Sequence, residues 1–513
     1  MVGLRVEGLA VGSRGGLCSP FRRTVGAAFL ALAAGGARAE LSPSNVLLLY
    51  NSMNAESLAV RNAYIAARPG VVELDLNSNL LATTGVTRLV YTTFVRNPVR
   101  NFINGVGGGV DRSQQIMAIA TTRGLPGRIL SAAGGGDEFQ INSTFASLES
   151  ELTLLQQDLE AAGTGSLAFR YSGVVDNPYH QTLNQPIDTF SRAGVQIARN
   201  FTAVGTSPNM AWSVDGLTPG DIYLVCRLDS APSSAGLRGG ATAVQNVEAL
   251  IQRSLNLKVN RCEVQVLLDE YGVPPASFEL DSGGFNPLFP ARNDFDNAAA
   301  FLTSFGIPRL HDKTMDFITG PELPDQMKRL LALGTYGENH SLNAWGENPP
   351  GDGTYATTYT LDPAALFVAY ESFGGTSIYS GTGRGGQQQA LDFIALGGSF
   401  TIPTVMEPFA FAVADMEFLL PNLLEHHLSF AEAAYAAVPA LSWQNAPVGD
   451  PLARIRLFIP GDADASTVVD FSDVLSVLAS FGGTGPIGDA DCDGDVDFGD
   501  VLEVLANFGL ACN

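Results

Sequence analysis

Residues 46–77, VLLLYNSMNAESLAVRNAYIAARPGVVELDLN, carry the pattern that decides the fold. The run VLLLYN at 46–51 is short and apolar, which reads as a buried strand. Residues 55–67 read as a helix, and VVELDLN at 71–77 as the next strand. The alternation continues outward from there. Strands are expected at RLVYTTF (88–94), LAFRYSG (167–173), IYLVCRLD (222–229), EVQVLLDE (263–270), ALFVAYES (365–372) and SFTIPTVM (399–406). Helical patterns lie between them at 145–163, 242–256, 326–334 (QMKRLLALG) and 420–438 (LPNLLEHHLSFAEAAYAAV). Strands alternating with helices predict an α/β architecture, with mostly parallel sheets and flanking helices.

Punctuation sets the expected domains. A Pro/Ser/Gly stretch follows Ser230, dividing the body into 41–230 and 231–459, and PVGDPLARIRLFIPGD hands over to a distinct tail at 460–513. At the other end, Arg22 and Arg23 precede the apolar run TVGAAFLALAAGG, which closes on Ala37-Arg38-Ala39. That is the charged, apolar and A-x-A order of a signal peptide, expected at 1–39, and the run is too short to span a bilayer. No other stretch reads as a span, so an exported chain without one is expected. It would be periplasmic, cell-surface or extracellular. Four cysteines would then remain in an oxidising compartment, with Cys226–Cys262 and Cys492–Cys512 as the expected pairs. The net charge of −23 and the lack of a basic stripe argue against nucleic-acid binding.

No lysine or arginine follows Arg456, and the tail is dense in aspartate. Its order is a repeat: GDADASTVVDFSDVLSVLASFG at 461–482, then GDADCDGDVDFGDVLEVLANFG at 488–509. Asp462, Asp464, Ser466, Asp470 and Asp473 fall at positions 1, 3, 5, 9 and 12 of a calcium loop, and Val468 offers its carbonyl at position 7. Asp489, Asp491, Asp493, Asp497 and Asp500 repeat the offsets, with Asp495 at position 7 and Gly494 at the turn. Thr467 takes the turn position in the first loop. An acidic tail that is merely solvated has no reason to repeat its ligand offsets. Nor need it follow each loop with an apolar helical stripe (Val474, Leu475, Val477 and Leu478; Val501, Leu502, Val504 and Leu505). Two Ca²⁺ ions are expected, driving the tail to fold by neutralising its carboxylates. The paired copies resemble a dockerin type I module, a family that uses Asp at position 12 and a single helix after each loop. The resemblance implies a small all-α calcium-binding module that docks onto a cohesin-like or cell-surface protein, most familiarly on polysaccharide-degrading enzymes.

The body carries the phrases IMAIATTRGLPGRI (116–129), SLESELTLL (147–155), TVMEPF (404–409) and FAEAAYAAVPALSWQNAPVGDPL (430–452). With IYLVCRLD, these resemble an uncharacterised family of exported bacterial proteins, exosortase-associated and without an established activity. TYGENHSLNAWGE (335–347), LFVAYESFGG (366–375) and GDPL (449–452) give the second half a distant resemblance to caspase-like, gingipain-type cysteine peptidases. That resemblance implies a histidine at His340 and a nucleophile near Glu371 and Ser372. Yet no cysteine stands between Cys262 and Cys492. A Cys–His mechanism needs a thiolate, so the candidate pair is Ser372 with His340, against the plainer reading that both line a strand-end loop.

Other constellations are weaker. His426 and His427 are neighbours pointing about 100° apart on a helix, so they do not share a metal as H-E-x-x-H would. His180 and His311 stand alone in sequence. No G-x-S-x-G elbow occurs, and GLRGGATAV lacks the P-loop lysine and hydroxyl. Asp229, Asp269, Glu270 and Glu407 end strands, where α/β proteins gather functional groups and also helix caps. Two of them could form a glycosidase pair. The expected function is therefore an exported calcium-binding modular protein held to a partner through its tail. The alternative is an extracellular hydrolase acting on peptide or polysaccharide.

Overall fold

The computed structural model describes residues 40–130, 145–157, 174–187, 201–204, 211–233, 240–270, 293–314, 318–336, 354–380, 390–466, 468–484, 487–491 and 493–511. Strand β1 (Val46–Tyr50) is buried except at its last residue, as its unbroken apolar run requires. Helix α1 (Ala55–Ala67) follows, its first turn capped by Asn54, whose Oδ1 accepts from the Ser57 amide at 3.0 Å. With β2 (Val72–Asp75), β3 (Ala118–Thr122) and β4 (Leu224–Leu228), β1 forms a fully parallel sheet of order β4-β3-β1-β2.

Helix α2 (Ala243–Arg253) starts on a capping box between Thr242 and Gln245 and leads to β5 (Leu257–Asn260). A second parallel sheet follows. It is built from β6 (Val264–Asp269), β7 (Arg309–Asp312), β8 (Arg329–Thr335), β9 (Leu361–Ala369) and β10 (Phe400–Thr401), in the order β7-β6-β8-β9-β10. Helix α3 (Asp294–Phe305) connects β6 to β7 and ends on Gly306 at φ +76°. Helices α4 (Met416–Leu424) and α5 (Phe430–Ala437) pack on one another. Two smaller sheets contain both parallel and antiparallel pairs. The expected α/β class with mostly parallel sheets and flanking helices is what the chain adopts.

The two large sheets are joined through the segment Pro447–Gly449. Val448 exchanges hydrogen bonds with Thr401 of β10 (2.8 and 3.1 Å), while Arg227 of β4 bonds Pro447 and Gly449 on either side (2.7 and 2.9 Å). Gly449 is required there: at φ +154°, a Cβ would meet the rings of Phe400 and Phe430 at 2.9 Å. Asp450, fully buried, then accepts from the Tyr64 hydroxyl (2.8 Å) and from Arg68 (2.7 and 2.9 Å), tying this segment to α1. Ala39 to Asn513 forms one compact unit.

Three expectations are corrected. QMKRLLALG is not helical: Arg329–Thr335 is the central strand of the second sheet. A run buried on both faces loses the alternation that marks a strand, so its leucines read equally as a helix. RLVYTTF is not a strand: Thr87 caps a helix there, and Arg88, Tyr91 and Val95 are buried at helical spacing. The Cys226–Cys262 pair does not form. Cys226 is a free thiol enclosed in β4, whereas Cys262 is disulfide-bonded and lies in the turn after β5. One other expectation is met only in part. Residues 420–438 form parts of two helices, broken where His427 takes φ +51°. LAFRYSG, the 1–39 segment, Cys492 and Cys512 lie outside the described residues. Among the described residues, no helix is long and apolar enough to cross a membrane.

Candidate metal centre

The C-terminal tail continues from β11 (Ile455–Phe458), which pairs in parallel with β5 of the body. Helices α6 (Phe471–Ser480) and α7 (Phe498–Ala506) each begin at an aspartate N-cap, Asp470 and Asp497, closed by a capping box with Asp473 and Asp500. Those two position-12 acids are buried, and each clasps its loop with both oxygens. Asp473 Oδ1 accepts from the amides of Ala463 (2.7 Å) and Asp464 (3.1 Å), while Oδ2 accepts from Asp470 (2.8 Å). Asp500 repeats the pattern with Ala490, Asp491 (3.1 Å) and Asp497 (2.8 Å). The loop interiors turn on the same local bonds. Ser466 donates its amide to Asp462 (2.9 Å) and Asp464 (3.0 Å), Asp493 to Asp491 (3.0 Å), and Asp495 to Asp493 (3.0 Å).

The two copies fold as one. Val469 and Gly509 bond across the copies at 2.8 Å, and Val469 also donates to Leu510. Val496 pairs in the same way with Gly482 and Gly483 (2.8 and 3.0 Å). Each loop is thus stitched to the end of the other copy's helix. Ile459, Ala463, Val469, Val477, Ala490, Val496 and Val504 form the shared core, against which Cys262 of the body packs.

Carboxylate oxygens of Asp462, Asp464 and Asp473 lie within 4.8 Å of one another, as do those of Asp489, Asp491 and Asp493. Oxygen donors alone, converging on one point, fit a hard divalent cation and not a thiophilic one. The charge crowding favours the protonated form of Asp491 and Asp495. Burial pushes the Asp491 carboxyl up, and Asp500, Asp493 and Asp489 push the same way; Asp495 is raised chiefly by Asp493. Asp470 is lowered by the Ser472 hydroxyl and amide. Ser466, Val468, Asp470, Asp495, Asp497 and Asp500 hold their loop positions but are not in the converging trios. A bound cation would neutralise the crowded charge.

One partner is not marked in the sequence as part of the loops. Arg456, on β11, reaches Asp489 Oδ2 at 2.8 Å. With Arg261 and His427 it faces Asp462, Asp464 and Asp489 across a cleft of about 340 Å³. The sequence marks Arg456 only as the last basic residue before the acidic tail.

The other expected residues take different places. Ser372 is half-buried in the turn after β9, Glu371 is buried, and their segment runs against Thr404–Met406. His340 lies outside the described residues. Asp229 is a buried ion-pair anchor between Arg123 (2.8 Å) and Arg227 (2.9 Å). Glu407 accepts from the Phe409 amide (3.1 Å). Asp269, at the end of β6, is raised to about 8 by burial. Beside it, Glu270 bonds His311, and Asp296 bonds Lys313 at 2.6 Å. These side chains have ligand types suited to a metal, but the Lys313 ammonium already supplies the countercharge. His180 pairs with Asp415 at 2.7 Å. His427 contacts the Ile455 carbonyl at 2.9 Å, and His426 lies 3.9 Å from Glu425.

No protein-family model and no curated protein matches the chain. Among solved structures it is similar to the crystal structure of the Arg-specific cysteine proteinase gingipain R, at TM-score 0.40 and 9% identity, covering 82% of this chain and 81% of that one. A second, described as "Structure of Protease", has TM-score 0.38 and 9% identity with the same coverage. The likeness to gingipain-type cysteine proteases is distant, and it says nothing about which residues act.

Proposed function

We propose that the chain is an exported, calcium-binding modular protein, held by its C-terminal module to a cohesin-type or cell-surface protein. One observation carries the reading: beside the repeated acidic loops, the two helices expose the same apolar stripe. Phe471, Leu475, Leu478 and Phe481 correspond to Phe498, Leu502, Leu505 and Phe508. All are between 53% and 63% exposed, nearly equal pair by pair. Val477 and Val504 turn inward to the shared core instead. Exposed contiguous apolar surface costs solubility and marks a docking face. Its duplication in step with the loops ties docking to the metal. In this reading Asp462, Asp464, Ser466, the Val468 carbonyl, Asp470 and Asp473 bind one Ca²⁺. Asp489, Asp491, Asp493, the Asp495 carbonyl, Asp497 and Asp500 bind the other. The ions relieve carboxylate repulsion and fix the helices.

Titration calorimetry of the mature chain with CaCl₂ tests it. Two ions should bind, the tail's melting transition should rise relative to chelator, and Asp462→Ala/Asp489→Ala should abolish both effects. Leu475→Lys/Leu502→Lys should keep calcium binding but lose capture by an immobilised cohesin domain. A tail equally stable in chelator and calcium sinks the metal assignment; capture unaffected by the leucine changes sinks the docking face.

A further inference from the structure

A second site lies on the body, far in sequence from the calcium loops. In the first sheet β2 and β3 sit on opposite sides of β1, so the strand order reverses there. Open α/β sheets bind ligands in the crevice outside the carboxyl ends of the strands at such a reversal. This chain has a cleft of about 240 Å³ in that position. It is lined by residues beyond the carboxyl ends of three neighbouring strands: Asn54 and Glu56 at the start of α1 after β1, Arg123 directly after β3, and Asp229 directly after β4. Thr84 and Ser377 add hydroxyls, while Leu125 and Ile378 add apolar wall.

The charges in the cleft select the ligand. Arg123 Nε donates to Glu56 at 3.1 Å, and its Nη1 donates to Asp229 at 2.8 Å and to the Ser230 carbonyl at 3.0 Å. Its Nη2 makes no hydrogen bond among the described residues, which leaves two donors of a fixed fork unspent. Glu56 is exposed and, among the described residues, engages Arg123 through one oxygen only, so its second oxygen is an open acceptor there. Ser377 is buried, and its hydroxyl has no partner among the described residues. An anion would meet two carboxylates against one guanidinium, and a cation would have to displace Arg123. A neutral ligand with vicinal hydroxyls meets neither difficulty, because each hydroxyl can donate to Glu56 and accept from Arg123. The volume is below the usual range for drug-sized ligands, which limits the occupant to about one ring.

We propose that this cleft is a binding subsite for a single neutral sugar unit, gripped through vicinal hydroxyls by Arg123 and Glu56. The site is independent of the calcium module, and the docking reading can fail without affecting it. The test is titration of the full mature chain with the methyl glycosides of glucose, galactose and mannose, alongside inorganic phosphate and methylguanidinium as charged probes. At least one glycoside should bind saturably. That binding should weaken roughly tenfold in Glu56→Gln and in Arg123→Lys, which keeps the charge but loses the fork. It should be unchanged in Asp462→Ala/Asp489→Ala. Glu56 lies on the surface, so its variant stays informative even if the Arg123 variant unfolds. No saturable glycoside binding, glycoside binding indifferent to Glu56→Gln, or saturation by a charged probe in place of the sugars would each overturn the proposal.

Discussion

Asp269 shows what one enclosed carboxyl does to the molecule. Its Oδ2 accepts from the Ile318 amide at 3.2 Å, yet burial dominates and holds the acid form up to about pH 8, against an ordinary value of 3.8. Below 3.8 the folded and unfolded chains are both protonated. Between 3.8 and about 8 the unfolded chain releases a proton that the folded one keeps. Stability therefore falls as pH rises through that window, by up to about 1.4 kcal/mol per pH unit, and levels off above it. Asp269→Asn should flatten this slope in chemical denaturation followed across pH, and an unchanged slope would mean that the proton sits elsewhere. Sequence marks Asp269 as a strand-end acid but not how deeply the neighbouring strands enclose it. The aspartates of the repeated acidic loops are legible for the opposite reason: their spacing is local, so consecutive offsets already define the cluster.

Among the elements, β8 is the informative error. Leu330 to Leu333 are covered on both faces, and the helix-or-strand ambiguity of such a run is resolved only by its neighbours β6 and β9. Gly334 records how close one of those neighbours comes: a Cβ there would sit 3.1 Å from the Phe295 ring of α3 and 3.2 Å from Leu268. Gly334→Ala should cost about 1–3 kcal/mol in denaturant unfolding, because an α3 ring must move from a packed position. Loss of less than 0.5 kcal/mol would show that α3 yields freely. The helices α6 and α7 were legible because acidic loop, cap and apolar stripe follow in fixed order. The α4–α5 break was not, since nothing in 420–438 outweighs its helical propensity except the Ser429–Glu432 capping box.

At the scale of the whole molecule, the sequence is silent wherever distant segments meet. The sugar cleft draws on residues 54 to 378, and the tail's acidic loops face a body arginine that no local pattern couples to them. Arg456 would compete with a bound cation for Asp489, so in the proposed reading Arg456→Ala should tighten calcium binding roughly two- to fivefold by calorimetry, and weaker binding would show that the arginine instead pre-shapes the loop. The Val448 junction has a consequence for how the chain comes into being. Synthesis runs from the amino end, and the first sheet's β4 edge waits for Pro447–Gly449 long after its own strands have emerged. Some two hundred residues must leave the ribosome before that edge is covered. A nascent chain stopped after β10 would carry two open sheet margins, the kind that pair with other chains. The body is therefore a late-closing fold, sealed only once the residues just ahead of the acidic tail arrive.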